Sequence, residues 1–150
     1  MLFRSFFLAG AALAAAPALA AGPLVVTSQV MVEAKQRAAD GTTRIALVPA
    51  RRVVPGDRVV FTLAYRNTGT QPLADLVFDN PVPSAVAYRA PAANSPAPEL
   101  SVDGRRYGTL AQLSAGRAIG PDDVTHVRWR LPRPLAPGAS GTVAFQAVLK

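Results

Sequence analysis

The sequence predicts an all-β fold, an antiparallel β-sandwich, and three observations support that prediction. Apolar residues recur at every second position in several runs, and a two-residue period places them on one side of a strand. Asp-Gly and Pro-Gly pairs separate these runs, as tight turns require. The chain also contains 14 prolines in 150 residues, which disfavours long helices because an interior proline costs about 3 kcal/mol. Short strands with regular turns are typical of two packed sheets.

The first twenty residues have the composition of a secretory signal peptide. Arg4 precedes an apolar run at residues 6–16, and residues 18–20 provide the small-x-small pattern that signal peptidase recognises. The run is too short to cross a bilayer, which takes about 20 apolar residues. We therefore expect export to the periplasm or the cell exterior, with cleavage of residues 1–20. Residues 21–150 are then expected to form one domain without a transmembrane span.

The strands of the first half follow from turns and alternation. Asp40-Gly41 separates residues 24–38 from residues 43–48, which predicts a hairpin. Pro55-Gly56 predicts a turn before the clearest strand of the chain, because proline fixes φ and glycine accepts a positive φ. That strand alternates between an apolar face and a polar face, and the apolar face consists of Val59, Phe61, Leu63 and Tyr65.

The middle of the chain is rich in turn residues. Asn67-Thr68-Gly69 is expected to end the strand, with Asn67 bonded to nearby backbone and Gly69 in left-handed geometry. Asp79 is expected to cap backbone amides in a loop that Pro81 and Pro83 stiffen. Residues 91–98 form a loop by composition, and Asp103-Gly104 predicts a second hairpin, between residues 99–102 and 105–107. Residues 110–123 are expected to form a long connection with a short irregular strand or a helical turn.

Two further strands end the chain, and Pro137-Gly138 predicts the turn between them. Val127, Trp129 and Leu131 alternate with arginines in the first strand, and an apolar residue recurs at every second position from Val143 to Leu149 in the second. Trp129 is expected in the core, where an aromatic side chain buries on the order of 150–250 Å². The other predicted inner-face residues are Phe61, Leu63, Tyr65, Leu76 or Val77, Phe78, Val127, Val143 and Phe145.

Composition excludes several kinds of chemistry. Without cysteine, the chain forms no disulfide, no metal–thiolate site and no cysteine nucleophile. The single histidine, His126, is expected on the polar face of its strand, and no Gly-x-Ser-x-Gly motif accompanies it. Paired carboxylates remain open by counting alone, although most aspartates stand in turns. We expect no catalytic residue, no cofactor and no metal; the alternative is a calcium site at Asp79 and Asn80 with another acidic group, for which only Asp122-Asp123 offers a pair.

The charge of the chain allows two interpretations. The formal net charge is +7, and all but two of the 16 basic residues are arginine. Arg128, Arg130 and Arg133 could form a surface for an anionic glycan, with Tyr88 or Tyr107 stacking on the sugar. The plainer interpretation is a solvated arginine-rich face, since the other arginines are scattered. Nucleic acid is not an expected partner, because the chain has no recognition motif.

Several motifs together resemble a known bacterial family. The motifs are Pro55-Gly56-Asp57, residues 60–63, Asn67-Thr68-Gly69-Thr70 and residues 79–83, followed by residues 124–131 and 135–143. They resemble the conserved-repeat domain catalogued as domain of unknown function eleven. Two departures are the inserted Asn80 and Val82 in place of the usual leucine. We expect one copy of such a domain and no anchor, whereas members of the family are often repeated or anchored.

The resemblance implies an immunoglobulin-like β-sandwich of an exported protein, without catalytic residues. In this interpretation Asn67, Gly69 and Asp79 are structural turn residues, and Phe61 and Tyr65 belong to the core. The expected function is a structural or protein-interaction role at the cell envelope, with an unpaired sheet edge accepting a partner strand. The alternative function is binding of anionic polysaccharide or lipopolysaccharide through the surface arginines.

Overall fold

A computed structural model describes residues 22–50 and 52–150, so the expected signal peptide, residues 1–20, lies outside the described part of the chain. Eight strands, one α-helical turn and one 3₁₀ turn follow in order. They are β1 (Leu24–Arg37), β2 (Thr43–Pro49), β3 (Arg58–Asn67), β4 (Val77–Pro81), β5 (Val86–Pro91), β6 (Glu99–Ser101), α1 (Leu110–Leu113), the 3₁₀ turn (Pro121–Asp123), β7 (His126–Arg130) and β8 (Ser140–Leu149).

The strands form two antiparallel sheets, which confirms the predicted all-β sandwich. The larger sheet has the order β2-β1-β3-β8-β5 and the smaller sheet the order β4-β7-β6. Every pairing is antiparallel, as alternation with one buried face predicts. Within the described residues no helix is long and apolar enough to cross a membrane.

Turn chemistry fixes the connections where the sequence predicts them. The Asp40-Gly41 turn joins β1 and β2 in a hairpin with a continuous register from Met31 to Arg37. Asp40 accepts a hydrogen bond from the backbone N–H of Thr42 at 2.9 Å, and Gly41 has φ +81°. Gly56 and Gly138, at φ +94° and +74°, confirm the other two predicted turns, because only glycine enters this region without steric cost.

An aromatic cluster joins the two sheets. Phe145 on β8 is fully buried, and it stacks on Phe61 of β3 with ring centroids 4.9 Å apart. Trp129 on β7 is 4% exposed and lies 6.3 Å from the Phe145 ring. Its indole Nε1–H donates to the carbonyl of Pro96 at 2.9 Å, so the polar end of the buried ring is satisfied.

The smaller sheet covers only part of the larger one. Phe78 of β4 stacks on Tyr65 of β3 at 4.6 Å, and Trp129 of β7 faces Phe145 of β8. Since β4 is an edge of its sheet and lies over β3, β1 and β2 extend beyond that edge. Val26 and Val30 face the same side as Tyr65 and Phe61 by register, yet they remain 45% and 38% exposed.

Three local predictions need correction. The predicted hairpin at Asp103-Gly104 is wrong. Strand β6 pairs with β7, and only an isolated bridge joins Leu100 to Gly108. The loop is wider than a tight turn because Asp103 accepts hydrogen bonds from the backbone N–H groups of Arg105 and Arg106. Asp79 lies within strand β4 instead of a loop, where its carboxylate binds side chains. Of the predicted alternatives Leu76 and Val77, Leu76 packs against the core and Val77 is 43% exposed.

Gly69 is the third correction. It is not among the glycines with positive φ, so left-handed geometry does not explain it. Instead, a Cβ at this position would lie 2.6 Å from Cβ of Pro23 and 3.2 Å from Oδ1 of Asn67. The glycine is required by the close approach of the chain entering β1.

Residues 110–123 contain two helical turns and no strand.

Candidate functional site

A buried asparagine organises the end of β3. The Asn67 side chain is fully buried; its Nδ2 donates to the carbonyls of Gln71 at 2.8 Å and Leu135 at 2.9 Å. Its Oδ1 accepts from the backbone N–H of Gly69 at 2.9 Å. Both polar atoms of this buried side chain have hydrogen-bond partners within the fold, so Asn67 has a structural role.

Asp79, Tyr107 and Arg128 form a compact cluster on the outer face of the smaller sheet. Oδ2 of Asp79 accepts from Oη of Tyr107 at 2.6 Å and from Nη2 of Arg128 at 2.6 Å. The Arg128 guanidinium also lies over the Tyr107 ring, with Cζ 3.4 Å from the centroid. Desolvation would raise the pKa of Asp79, but the hydrogen bonds from Tyr107 and Arg128 outweigh it and lower that pKa.

The predicted arginine surface is largely neutralised by its own neighbours. Arg128 is bound to Asp79 and Tyr107, and Nε of Arg130 lies 3.2 Å from a carboxylate oxygen of Glu99. Arg133 is exposed in the segment after β7. Tyr88 is 4% exposed, and burial raises the pKa of its hydroxyl to about 12. Tyr88 therefore lies in the core, where it cannot stack on a sugar. One face of the Tyr107 ring is already covered by the Arg128 guanidinium.

The remaining polar side chains form no reactive arrangement in the described part of the chain. His126 is half-buried on the polar face of β7, as its alternation predicts, with Nδ1 3.0 Å from Oγ1 of Thr125. Asp122 pairs with Arg89 at 2.6 Å, whereas Asp79 pairs with Arg128. Across residues 22–50 and 52–150, no three His, Cys, Asp or Glu side chains converge as a metal site would require.

Three of the strand edges carry features that prevent further pairing. The outer edge of β5 contains an irregularity between Tyr88 and Ala90, and the 3₁₀ turn packs against this strand. The outer edge of β6 is paired with Gly108 through two backbone hydrogen bonds of 2.8 and 3.0 Å. The free edge of β4 is five residues long and ends at Pro81, which has no N–H. Natural sheets use such devices against edge-to-edge association.

The edge formed by β2 is open and apolar. The N–H of Ala38 donates to the carbonyl of Thr42, and the N–H of Ala50 donates to the carbonyl of Val30. The even-numbered residues of β2 therefore direct their backbone groups toward β1. Because the direction alternates along a ladder, Thr43, Ile45 and Leu47 direct their N–H groups away from the sheet. Ile45 and Leu47 are 68% and 49% exposed, and both lie on the outer face of the larger sheet. This edge is the candidate functional site.

The first half of β1 is the other edge left uncovered. Beyond Val30, β1 has no neighbour on the β2 side. The uncovered stretch contains the exposed Val25 and Val26 as well as the polar Thr27, Ser28 and Gln29. Its valines are 48% and 45% exposed, less than Ile45 of β2 at 68%.

Sequence reasoning reached part of this site. The hairpin and its turn were predictable, but the edge position of β2 depends on sheet order, which alternation does not encode. Pairing of Asp79 with Tyr107 also joins residues far apart in the chain. The exposed Ile45 and Leu47 were a usable signal, since they alternate with Arg44 and Ala46 beside a predicted turn.

No family model matches the chain, and no curated protein or solved structure is found to be similar to it.

Proposed function

We propose that this chain is an exported, non-enzymatic β-sandwich module of the bacterial cell envelope that binds a partner protein by accepting a strand at the β2 edge. The observation that carries the proposal is the open edge itself: three outward N–H groups beside the exposed Ile45 and Leu47. Strand addition satisfies such groups through main-chain hydrogen bonds, while side-chain pockets provide specificity.

Export and envelope location have separate support. Residues 1–20 have the charge, apolar run and small-residue exit of a signal peptide. The resemblance of residues 52–150 to the conserved-repeat domain of unknown function eleven also favours an exported bacterial protein with an immunoglobulin-like sandwich. The two-sheet fold agrees with that resemblance, and we retain it as part of the proposal.

A glycan-binding role has less support. Arg128 and Arg130 would have to exchange their bonds with Asp79 and Glu99 for bonds to an anionic sugar. Arg133 is a single exposed charge, and charge alone argues for solubility and association more than for a specific ligand. The β2 edge requires no such exchange, because its outward N–H groups have no hydrogen-bond partner among the described residues.

The proposal is tested in a bacterial host that expresses the full chain with residues 1–20 in place. A photo-crosslinking amino acid replaces Leu47 in one variant and Val25 in the other, since these residues are equally exposed, at 49% and 48%. We expect a discrete crosslinked adduct from position 47 and none from position 25. Equal adducts at both positions, or none at either, would contradict strand addition at β2.

Fractionation of the same cells tests the compartment. We expect the protein in the periplasm, the outer membrane or the medium, with a mature N-terminus at Ala21 by mass spectrometry. Retention in the cytoplasm with residues 1–20 attached would contradict the export part of the proposal and leave the binding part to be judged by the crosslinks.

A further inference from the structure

The backbone of β2 restricts how any strand can pair with it. Thr43, Ile45 and Leu47 present outward N–H groups, and Pro49 presents only a carbonyl. An antiparallel neighbour must therefore align its own outward residues with these. A second copy of β2 meets this requirement, because the same odd-numbered residues face outward on both copies.

Two registers of such a self-pairing satisfy all three N–H groups on each strand. In the first, the two-fold axis passes beside Ile45, so that Ile45 faces the partner's Ile45. In the second, the axis passes beside Ala46, so that Ile45 faces the partner's Leu47 and Thr43 faces the partner's Pro49. Backbone bonding does not separate the two registers, so the side chains decide.

Charges on β1 favour the register centred on Ala46. Within the hairpin, Lys35 lies opposite Ile45 and Glu33 opposite Leu47 on the outer face. With Ala46 at the axis, the two rows that contain Ile45 and Leu47 each have Lys35 at one end and the partner's Glu33 at the other. With Ile45 at the axis, one row would have Lys35 at both ends, and Glu33 would share its rows with the partner's Arg37. A row with like charges at both ends therefore arises in the register centred on Ile45. Lys35 is exposed and has no ion pair among the described residues.

The side chains on both faces also fit this register. On the outer face Ile45 packs beside the partner's Leu47, and the two-fold axis repeats this apolar pair. On the inner face Ala46 meets the partner's Ala46 and Arg44 meets the partner's Val48, whereas the other register would place Arg44 against the partner's Ala46. Cross-strand pairs of this kind are the unit of sheet stabilisation. The charged ends of a row are about 14 Å apart at strand spacings of roughly 4.8 Å, so they select the register more than they add affinity.

We infer that the occupant of the β2 edge is a second copy of this chain, paired antiparallel with its own β2 in the register centred on Ala46. The inference rests on the proposed function, whose binding edge it fills. The contact is isologous, as two-fold dimers require, and it joins the two larger sheets into one continuous sheet. Each copy covers the other's exposed Ile45 and Leu47, and no open β2 edge remains.

Single cysteine variants test the register, because the natural chain contains no cysteine. Directly opposed residues that are not hydrogen-bonded have Cα atoms about 4.5 Å apart, within the range that a disulfide bridges. We therefore expect Ala46→Cys to form a disulfide-linked dimer under copper-phenanthroline oxidation at least ten times faster than Ile45→Cys or Val25→Cys. Adding Leu47→Lys to Ala46→Cys is expected to slow the reaction at least tenfold, whereas adding Val25→Lys leaves it unchanged.

Sedimentation velocity of the cysteine-free protein provides the second measurement. We expect a concentration-dependent dimer that Leu47→Lys weakens at least tenfold and Val25→Lys preserves; both substituted side chains are half-exposed, and circular dichroism verifies the fold of each variant. Equal crosslinking at positions 46 and 25, or faster crosslinking at position 45, would overturn the inference. A position-47 photo-adduct whose mass differs from twice the chain would also overturn it, while leaving the proposed function standing.

Discussion

Replacing Asn67 with alanine is the sharpest test of how the fold is held together at the end of β3. The side chain is fully buried, and the substitution removes three hydrogen bonds, to Gln71, Leu135 and Gly69. The Leu135 carbonyl keeps a bond from the backbone N–H of Leu73, but the other two groups lose a partner. At about 1 kcal/mol for each bond, we expect Asn67→Ala to lower the free energy of unfolding by about 3 kcal/mol.

Urea denaturation followed by far-ultraviolet circular dichroism measures this change, and the thermal midpoint should fall by about 10 °C for a chain of this size. Thr68→Ala is the matched control, because its exposed hydroxyl binds the carbonyl of Pro23, which also accepts the Thr68 N–H. The control should change stability by less than about 0.5 kcal/mol.

A second substitution separates hydrogen bonding from packing. Asn67→Asp preserves the shape and the acceptor for Gly69 but directs a carboxylate oxygen at two carbonyls, without a donor. We expect it to cost more than Asn67→Ala at neutral pH, and the difference to narrow in acid as the carboxylate gains a proton. If Asn67→Ala were as stable as Thr68→Ala, the argument that this asparagine anchors the corner would be refuted.

Three other outcomes are expected from purified variants. Trp129→Ala should cost about 3–5 kcal/mol in chemical denaturation, the usual cost of a large aromatic truncation in a core, and a change near zero would contradict its burial. Gly69→Ala should cost about 1–3 kcal/mol from the clash with Pro23, whereas Gly22→Ala, with nothing within 4 Å of its new Cβ, should be neutral. The half-exposed Asp79 should stabilise the fold by about 0.5 kcal/mol over Asp79→Asn at pH 7. The pKa of Asp79 is lowered from 3.8 in the folded state. The stability difference between the two proteins should therefore be complete above about pH 4 and vanish as the pH falls through the lowered folded pKa. A difference in thermal midpoint that does not change with pH would refute the stabilising role of the Asp79 carboxylate.

Much of the fold was predictable because its signals are local. Alternation in β3, β7 and β8 assigned the buried faces, since a strand exposes successive side chains to opposite sides. Gly41, Gly56 and Gly138 marked turns because positive φ is a property of the residue itself. Strand β5 was missed, and its pairing with β8 shifts register between Tyr88 and Ala90. That shift interrupts the two-residue period on which the prediction depends.

Features that depend on long-range contact were not predictable. Gly69 carries the same local signal as a left-handed turn, but a glycine is required because Pro23 lies close to it. Pro23 precedes β1, which pairs with the strand that ends at Asn67. Asp103-Gly104 has the signal of a tight hairpin, and Gly104 does adopt φ +71°. The loop is wider because Asp103 binds two successive backbone N–H groups. The ion pairs of Arg128 and Arg130 were not predictable for the same reason, since their carboxylate partners come from β4 and β6.

The unequal protection of the sheet edges connects the fold to its proposed function. A sandwich in which every edge was open would associate without specificity, and one in which every edge was closed would not accept a strand. Here β4 ends at a proline, β5 has a register shift and a packed 3₁₀ turn, and β6 forms a backbone bridge with Gly108. The hairpin extends beyond the smaller sheet, so both faces of β2 are accessible and an added strand meets no side chain of that sheet. Ile45 is 68% exposed, more than the other exposed large apolar residues of the described chain, and a strand added at the β2 edge would cover it.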